Sequence, residues 1–280
     1  MFLKMDLISK LTTISSHVLK NHSIVSLAIL EFLILSFSGN NTLNAQYLDF
    51  GIKGSWCMPY LSRGTNEISR DWQSRSVLNF GVFGSTYVSK NISIQIEVNY
   101  ASQGGQKNGI QPIPEGAIHS WLSGTTLYAN FNSIVKLNYL EVPITIKYSF
   151  PRGSPLTYHF IAGTFLGYLI NEHNKTVEIS RIFIDQNGNM LMIPDRKNPG
   201  QWIEIPAQNF DANMTISQDY NIINFGITCG VGWSQEIRNG SFFLDVRGYY
   251  GMINIQKYSA NGKNNIRAVE LSLGYTIKIK

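Results

Sequence analysis

From Gln46 onward the chain contains no stretch of 18 apolar residues, yet over long runs its apolar residues recur at every second position. That combination is the strongest constraint on the fold. A membrane helix needs roughly 20 consecutive apolar residues, so helical spans are excluded. Alternation with period two puts all the apolar side chains of a strand on one face. The last segment is the clearest: Val269, Leu271, Leu273, Tyr275, Ile277 and Ile279 fall on one side, and Glu270, Ser272, Gly274, Thr276 and Lys278 on the other.

Eight such segments can be placed, at 48–56, 77–88, 92–101, 139–150, 157–170, 223–234, 242–252 and 269–279. In the segment 157–170, Tyr158, Phe160, Ala162, Leu166 and Ile170 are assigned outward. Soluble sandwiches typically use strands of about 5–6 residues, whereas a tilted strand crossing a bilayer needs about 9–11. Backbone groups in lipid must all be paired, so strands of this length have to close on themselves. The expected fold is all-β, an eight-stranded antiparallel transmembrane up-and-down β-barrel.

The connections alternate in length. Lys90-Asn91, Pro151-Arg152-Gly153-Ser154-Pro155 and Arg238-Asn239-Gly240 are short and carry turn-forming residues. The other four, at 57–76, 102–138, 171–220 and 253–267, are long. Short turns on one side and long loops on the other is the arrangement of outer-membrane barrels, and it puts both termini on the periplasmic side. Charges lie near mid-strand on the non-apolar face: Lys53, Glu97, Glu141, Lys147, Asp245 and Arg247. A soluble barrel would turn its apolar face inward and leave these charges to solvent.

The first 45 residues read as an address. Lys4, Lys10 and Lys20 precede an apolar stretch from Ile24 to Phe37, interrupted by Glu31, and a polar passage leads to Asn44-Ala45-Gln46. A basic leader, an apolar stretch too short to span a membrane and a small residue before the cut make a secretory signal peptide. The expected division is 1–45 signal peptide and 46–280 barrel domain, with export to the bacterial outer membrane.

Several strings now resemble a known family. Phe50-Gly51-Ile52-Lys53-Gly54, Leu137-Asn138-Tyr139-Leu140-Glu141-Val142-Pro143, Ala162-Gly163 with Leu166-Gly167-Tyr168-Leu169, and Leu271-Ser272-Leu273-Gly274-Tyr275 are similar in order and spacing to PorT-like "porin family" outer-membrane barrels of the Bacteroidetes. The resemblance spans nearly all of 46–280. It implies an outer-membrane barrel, in some members associated with protein secretion, and it brings no catalytic residues. The ending Ile277-Lys278-Ile279-Lys280 departs from the terminal aromatic common in such barrels.

The chemistry points the same way. An eight-stranded barrel is just filled by side chains. The expected lumen holds Asp49, Glu97, Glu141, Asp245 and Glu270 beside Lys53, Lys147, Arg247 and Lys278, with bulky Phe83, Phe243 and Tyr249. The near balance of signs predicts an ion-pair network that plugs the barrel. Pro143 in mid-strand predicts a local bulge. Asn187-Gly188, between β-prone Thr176–Ile184 and Met190–Ile193, predicts a hairpin with a type I′ turn. Trp202 and Phe210 beyond it are candidates either for a partner site or for packing on the neighbouring loop.

No basic cluster tracks a phosphate backbone, although the net charge is +5, so nucleic acid is not an expected partner. Cys57 and Cys229 form neither a metal spacing nor a disulfide framework. Of the five histidines, His17 and His22 go with the leader, His119 and His173 lie in expected loops with no paired carboxylate at a telling spacing, and His159 lies near the periplasmic end of the segment 157–170. Catalytic, cofactor-binding and metal sites are therefore all expected to be none, and no cofactor is expected. The expected role is non-enzymatic: structural, interaction or secretion-associated, through the external loops or the periplasmic turns. A small-solute channel and an outer-membrane hydrolase are the alternatives. The expected partners are outer-membrane lipid and proteins at those loops or turns, with the oligomeric state undetermined.

Overall fold

The computed structural model describes residues 48–113, 125–150, 155–214 and 219–279. The leader, His119 and most of the expected 151–155 turn lie outside the described residues. Eight long strands carry the fold: β1 (Leu48–Ser62), β2 (Val77–Tyr87), β3 (Ile92–Lys107), β4 (Asn132–Ser149), β5 (Leu156–Val177), β6 (Ile223–Ile237), β7 (Gly240–Gly251) and β8 (Asn265–Ile279). Each pairs antiparallel with its neighbours in sequence, and β8 returns to pair with β1, so the sheet closes. A short strand, Ala212–Met214, adds to the upper part of β5.

The stagger of the closed sheet can be followed residue by residue. Met58 pairs with Val269, then through Gly248, Cys229, Ala162, Ile146, Ile94 and Thr86 the ladder comes back to β1 at Leu48. The return falls ten residues lower on the same strand, Met58 against Leu48. An even offset is required, because an odd one would join an outward residue to an inward one. It also tilts the strands, as closure demands.

Alternation decides which side of the wall each residue takes. Ile52, Val82, Ile146, Phe160, Ile227, Leu273 and Ile277 are more than half exposed on the outer surface, whereas Asp49, Lys53, Glu97, Asp245, Arg247 and Glu270 are buried inside. The phase assigned to 157–170 also holds, with Tyr158, Phe160, Ala162 and Ile170 outward and His159, Ile161 and Phe165 inward.

Three expectations are corrected. First, most strands run further at the long-loop end than the alternation suggested; β3 continues to Lys107, β4 starts at Asn132 and β5 reaches Val177. These extensions lie beyond the apolar belt, so their outer faces carry Lys136 and Lys175 and the alternation that marks a lipid-facing strand fades. Second, Pro143 makes no bulge. The β3–β4 register is the same on both sides of it, from Ile96↔Ile144 to Asn99↔Glu141, with the intervening ladder pairs missing. Pro143 remains in register with Phe165 on its other side. A residue without an N–H can interrupt one ladder and leave the strand straight. The register shift of this wall falls instead between Asn138 and Tyr139, against β5.

Third, the Asn187-Gly188 turn is not type I′. That turn needs positive φ at both central residues, and among these only Gly188 has it, at 84°. The Asp185 carboxylate accepts the backbone N–H of Asn187 and of Asn189, which holds Asn187 in an ordinary conformation. The hairpin itself forms: Phe183 bridges to Met190, and Leu191 N–H donates to the Ile182 carbonyl at 2.9 Å. It does not stand apart from the next loop. Ile182–Phe183 joins Tyr128–Asn130 and Ile110–Pro112 in a three-stranded sheet, while Met192–Pro194 pairs with Trp202–Glu204. A core of Ile113, Leu127, Ala129, Phe131 and Ile182, with Phe210 stacked on Phe131 at 5.9 Å, binds the two long loops together. Phe210 is thus a packing residue, and Trp202 is 63% exposed.

Candidate functional site

Among the described residues, chemistry-bearing side chains from most of the strands converge inside the barrel. Near the short-turn end, Phe83 and Phe243 meet edge to face at 5.5 Å, and the Lys147 ammonium lies 5.7 Å from the Phe243 ring centre. Glycines make room for these rings. A Cβ on Gly51 would collide with Phe83, and one on Gly274 with Phe243.

Above this layer lies the ionic network. Lys53 Nζ is 2.7 Å from Glu97 Oε2 and 3.2 Å from Glu270 Oε1. Arg247 Nη1 reaches Glu97 Oε1 at 2.5 Å, and its Nη2 reaches Asp245 Oδ2 at 2.8 Å. Asp245 Oδ1 is 2.7 Å from His159 Nε2. Amides and a hydroxyl complete the carboxylates: Gln95 and Asn99 donate to Glu97, and Ser272 donates to Glu270. Buried charges persist only when paired and hydrogen-bonded in this way. Gly232 is the complement of the His159–Asp245 pair, since a Cβ there would run into both side chains.

The expected set is only partly assembled. Glu97, Asp245, Glu270, Lys53 and Arg247 are joined, and His159 enters as a sixth member that the sequence reading left out. Lys278 is corrected: it leaves the lumen and pairs with Glu236 at 2.6 Å on the rim, where its side chain is 40% exposed. It is the penultimate described residue of β8, below the last packed layer, and a long side chain there reaches water. Asp49, Glu141 and Lys147 make no ion pair within 4 Å among the described residues.

His159 has no further relay. Its Nδ1 has no hydrogen-bond partner among the described residues, and its side chain is fully buried. A nucleophile–base–orienter set needs both ring nitrogens engaged and access for substrate. His173 lies on the upper part of β5, opposite Lys136 of β4, far in sequence register from the network.

At the long-loop end an apolar cluster lines the lumen beside buried Gln103 and Glu172. Leu61, Val135, Leu137, Tyr139 and Ile266 point inward from the walls, joined by Ile255 from the 252–264 loop, and all are at most 3% exposed. Trp72, Leu169 and Tyr220 pack on them. Between this cap and the ions, Phe165 and Tyr249 meet at 5.6 Å beside Cys57 and Ala268. Four successive levels of side-chain contact thus lie along the axis: an aromatic pair, an ionic network, a second aromatic pair and an apolar cluster.

Among solved structures, Neisserial surface protein A is similar at 14% identity, with 82% of this chain and 97% of that chain covered and a TM-score of 0.40. The attachment invasion locus protein Ail of Yersinia pestis is similar at 8% identity, covering 83% and 99%, with a TM-score of 0.32. The outer membrane protease OmpT of Escherichia coli is similar at 11% identity, covering 85% and 99%, with a TM-score of 0.31. No curated protein matches the chain. A family model described as "Outer membrane protein beta-barrel domain" matches residues 37–257, which is most of the chain, and the protein therefore belongs to that family of bacterial outer-membrane barrels.

Proposed function

We propose that this protein is a plugged, non-enzymatic outer-membrane barrel whose wall is a rigid stalk and whose working surface is the fused platform of its long loops. The filled lumen carries this reading, because every level from Phe83–Phe243 to the Leu61–Ile266 cap is occupied by side chains in contact. Such packing leaves no continuous path for a solute, and opposite charges inside it pair instead of selecting an ion. The platform contributes what the stalk lacks: small sheets rising above the barrel, with Trp202, Ile203 and Ile184 at 63%, 42% and 50% exposure. Exposed apolar residues on the two successive hairpins of this loop are suited to contact with another protein.

In this reading the long loops face outward and both termini are periplasmic, in line with the alternation of short turns and long loops. Export removes residues 1–45, so the mature chain starts at Gln46. The PorT-like strings keep a secretion-associated role as one form such an interaction could take. Single-channel recording of the refolded barrel tests the plug: the expected trace is silent, and a stable conductance would replace this reading with transport. Photo-crosslinking from position 202 in native membranes tests the platform, against a control position at Asn239 on the short-turn side. Adducts from Asn239 alone would move the working surface to the periplasmic turns.

A further inference from the structure

The outer wall changes character abruptly along one sector. On β1, β8 and β7 the outward residues Met58, Val269 and Val246 are apolar and exposed. At the top of the same faces, Tyr60, Arg267 and Tyr250 stand side by side as direct cross-strand neighbours. The Arg267 guanidinium lies 4.7 Å from the Tyr250 ring centre. Arg63, in the loop just above, donates from Nη1 to the Tyr250 hydroxyl at 3.3 Å. Two guanidinium groups therefore share one tyrosine at the level where the apolar belt ends.

Neither guanidinium is neutralised. No carboxylate lies within 4 Å of Arg63 or Arg267 among the described residues, and Arg267 Nε is buried without a hydrogen-bond partner. The loops over this sector add exposed Arg70, Lys257 and Lys263. The two carboxylates of the lower loop, Glu67 and Asp71, both act on Lys107, and Glu67 also accepts the Tyr128 hydroxyl at 2.7 Å. The two loops are also tied together, by Asn66 to the Ala260 carbonyl and by Asn264 to the Ser69 carbonyl. The positive groups are thereby held in place at the membrane boundary.

We infer that Tyr60, Arg63, Tyr250 and Arg267 form a binding site on the outer wall for the phosphate of an outer-leaflet lipid headgroup. The inference rests on the orientation proposed above. Guanidinium groups take phosphate through paired N–H donors, and tyrosines at the interface hold the guanidinium plane while their rings remain against the acyl chains. Met58 and Val269 directly below, with Val246 one step lower past Gly248, supply the apolar wall along which the lipid tails would lie. Free phosphate would use the two arginines alone and gain nothing from that wall.

The test uses the refolded full-length protein in phosphatidylcholine nanodiscs doped with lipid A or with its dephosphorylated form, and reads retained lipid by native mass spectrometry. The expected result is retention of lipid A over the dephosphorylated form, with apparent affinity reduced roughly tenfold in Arg267→Gln, the effect of one lost charge-assisted contact. Arg196→Gln, at the tip of the 192–204 hairpin, should leave retention unchanged. If Arg267→Gln does not fold, as judged by heat-modifiable gel mobility, Arg63→Gln carries the test, since its residue lies outside the strands. Equal retention of the dephosphorylated lipid, or full displacement by millimolar inorganic phosphate, would overturn the site as a lipid site. These outcomes are separate from the conductance result, because a conducting barrel could still hold lipid here and a silent one could fail to.

Discussion

Replacing Arg247 by methionine removes the group that joins the two halves of the lumenal network. Its side chain is fully buried and reaches Glu97 at 2.5 Å and Asp245 at 2.8 Å. Methionine fills much of the volume, so the change is mainly electrostatic. Breaking one partner out of a buried ion pair costs about 3–5 kcal/mol, because the remaining charge is left uncompensated. Here compensation is partial. Glu97 keeps Lys53 at 2.7 Å together with Gln95 and Asn99, and Asp245 keeps His159. The expected loss is therefore at the lower end, about 3 kcal/mol. Urea unfolding in lipid vesicles, followed by heat-modifiable mobility, measures it. Adding Glu97→Gln should cost much less than the sum of the two single changes, since the double variant leaves the separate pairs Lys53–Glu270 and His159–Asp245. A coupling of about 1–3 kcal/mol is the expected signature for residues in one network. A single variant that costs under about 1 kcal/mol, or strict additivity of the pair, would refute the claim that these charges act as one plug.

Other perturbations read other parts of the molecule. Leu273→Lys puts a charge on the lipid face and should lower stability by about 2–4 kcal/mol, whereas Leu273→Phe should be nearly neutral; folding yield into vesicles distinguishes them. A lipid-soluble maleimide should label Cys229, which is exposed on the outer wall, and leave Cys57, which is buried in the lumen, until the barrel unfolds. The Tyr128 hydroxyl, which donates to Glu67, is pushed up to about 12, so its contribution to loop packing is complete below the ordinary tyrosine value near 10 and is lost as pH rises toward 12. Tyrosinate absorbance of wild type and Tyr128→Phe should then differ only at the upper end of that window. Protein purified from outer membranes should begin at Gln46 by terminal sequencing; a start elsewhere would move the leader boundary.

The barrel was legible because lipid imposes one rule on every outward position within its thickness. Where that rule stops, so does legibility. The upper part of β3, Ser102-Gln103-Gly104-Gly105-Gln106-Lys107, pairs with β4 residue by residue, yet both of its faces are polar or small, and nothing in its pattern separates it from a loop. The loop platform was half visible. Asn187-Gly188 marked a turn, but the carboxylate of Asp185 chose its type, and that choice depends on a side chain two residues away. The partner strand of Met192–Pro194 is Trp202–Glu204, a pairing set by a seven-residue connection with no repeat or alternation to announce it.

The lumen shows the limit most directly. Alternation identified the inward face and the signs of its charges, so a lumenal network drawn from Asp49, Lys53, Glu97, Glu141, Lys147, Asp245, Arg247, Glu270 and Lys278 was expected from sequence. It could not say which charges are near one another, because neighbours inside a barrel come from strands across the axis: Glu97 of β3 and Arg247 of β7 are not paired strands. His159 was overlooked for the same reason, since its partner Asp245 lies two strands away, past Gly232 of β6. On alternation alone, Ser272→Lys is a polar change on a polar face and should be tolerated. In the folded barrel Ser272 is fully buried and donates to Glu270, whose other partners are Lys53 and, at 3.5 Å, Asn79. A second ammonium there would face Lys53 across one carboxylate with no space to withdraw. The expected loss of folding is then at least as large as for Leu273→Lys on the lipid face, measured in the same vesicles. Equal folding of wild type and Ser272→Lys would mean that the lumen is open and hydrated at mid-membrane, and the filled interior from which the plug is argued would be wrong.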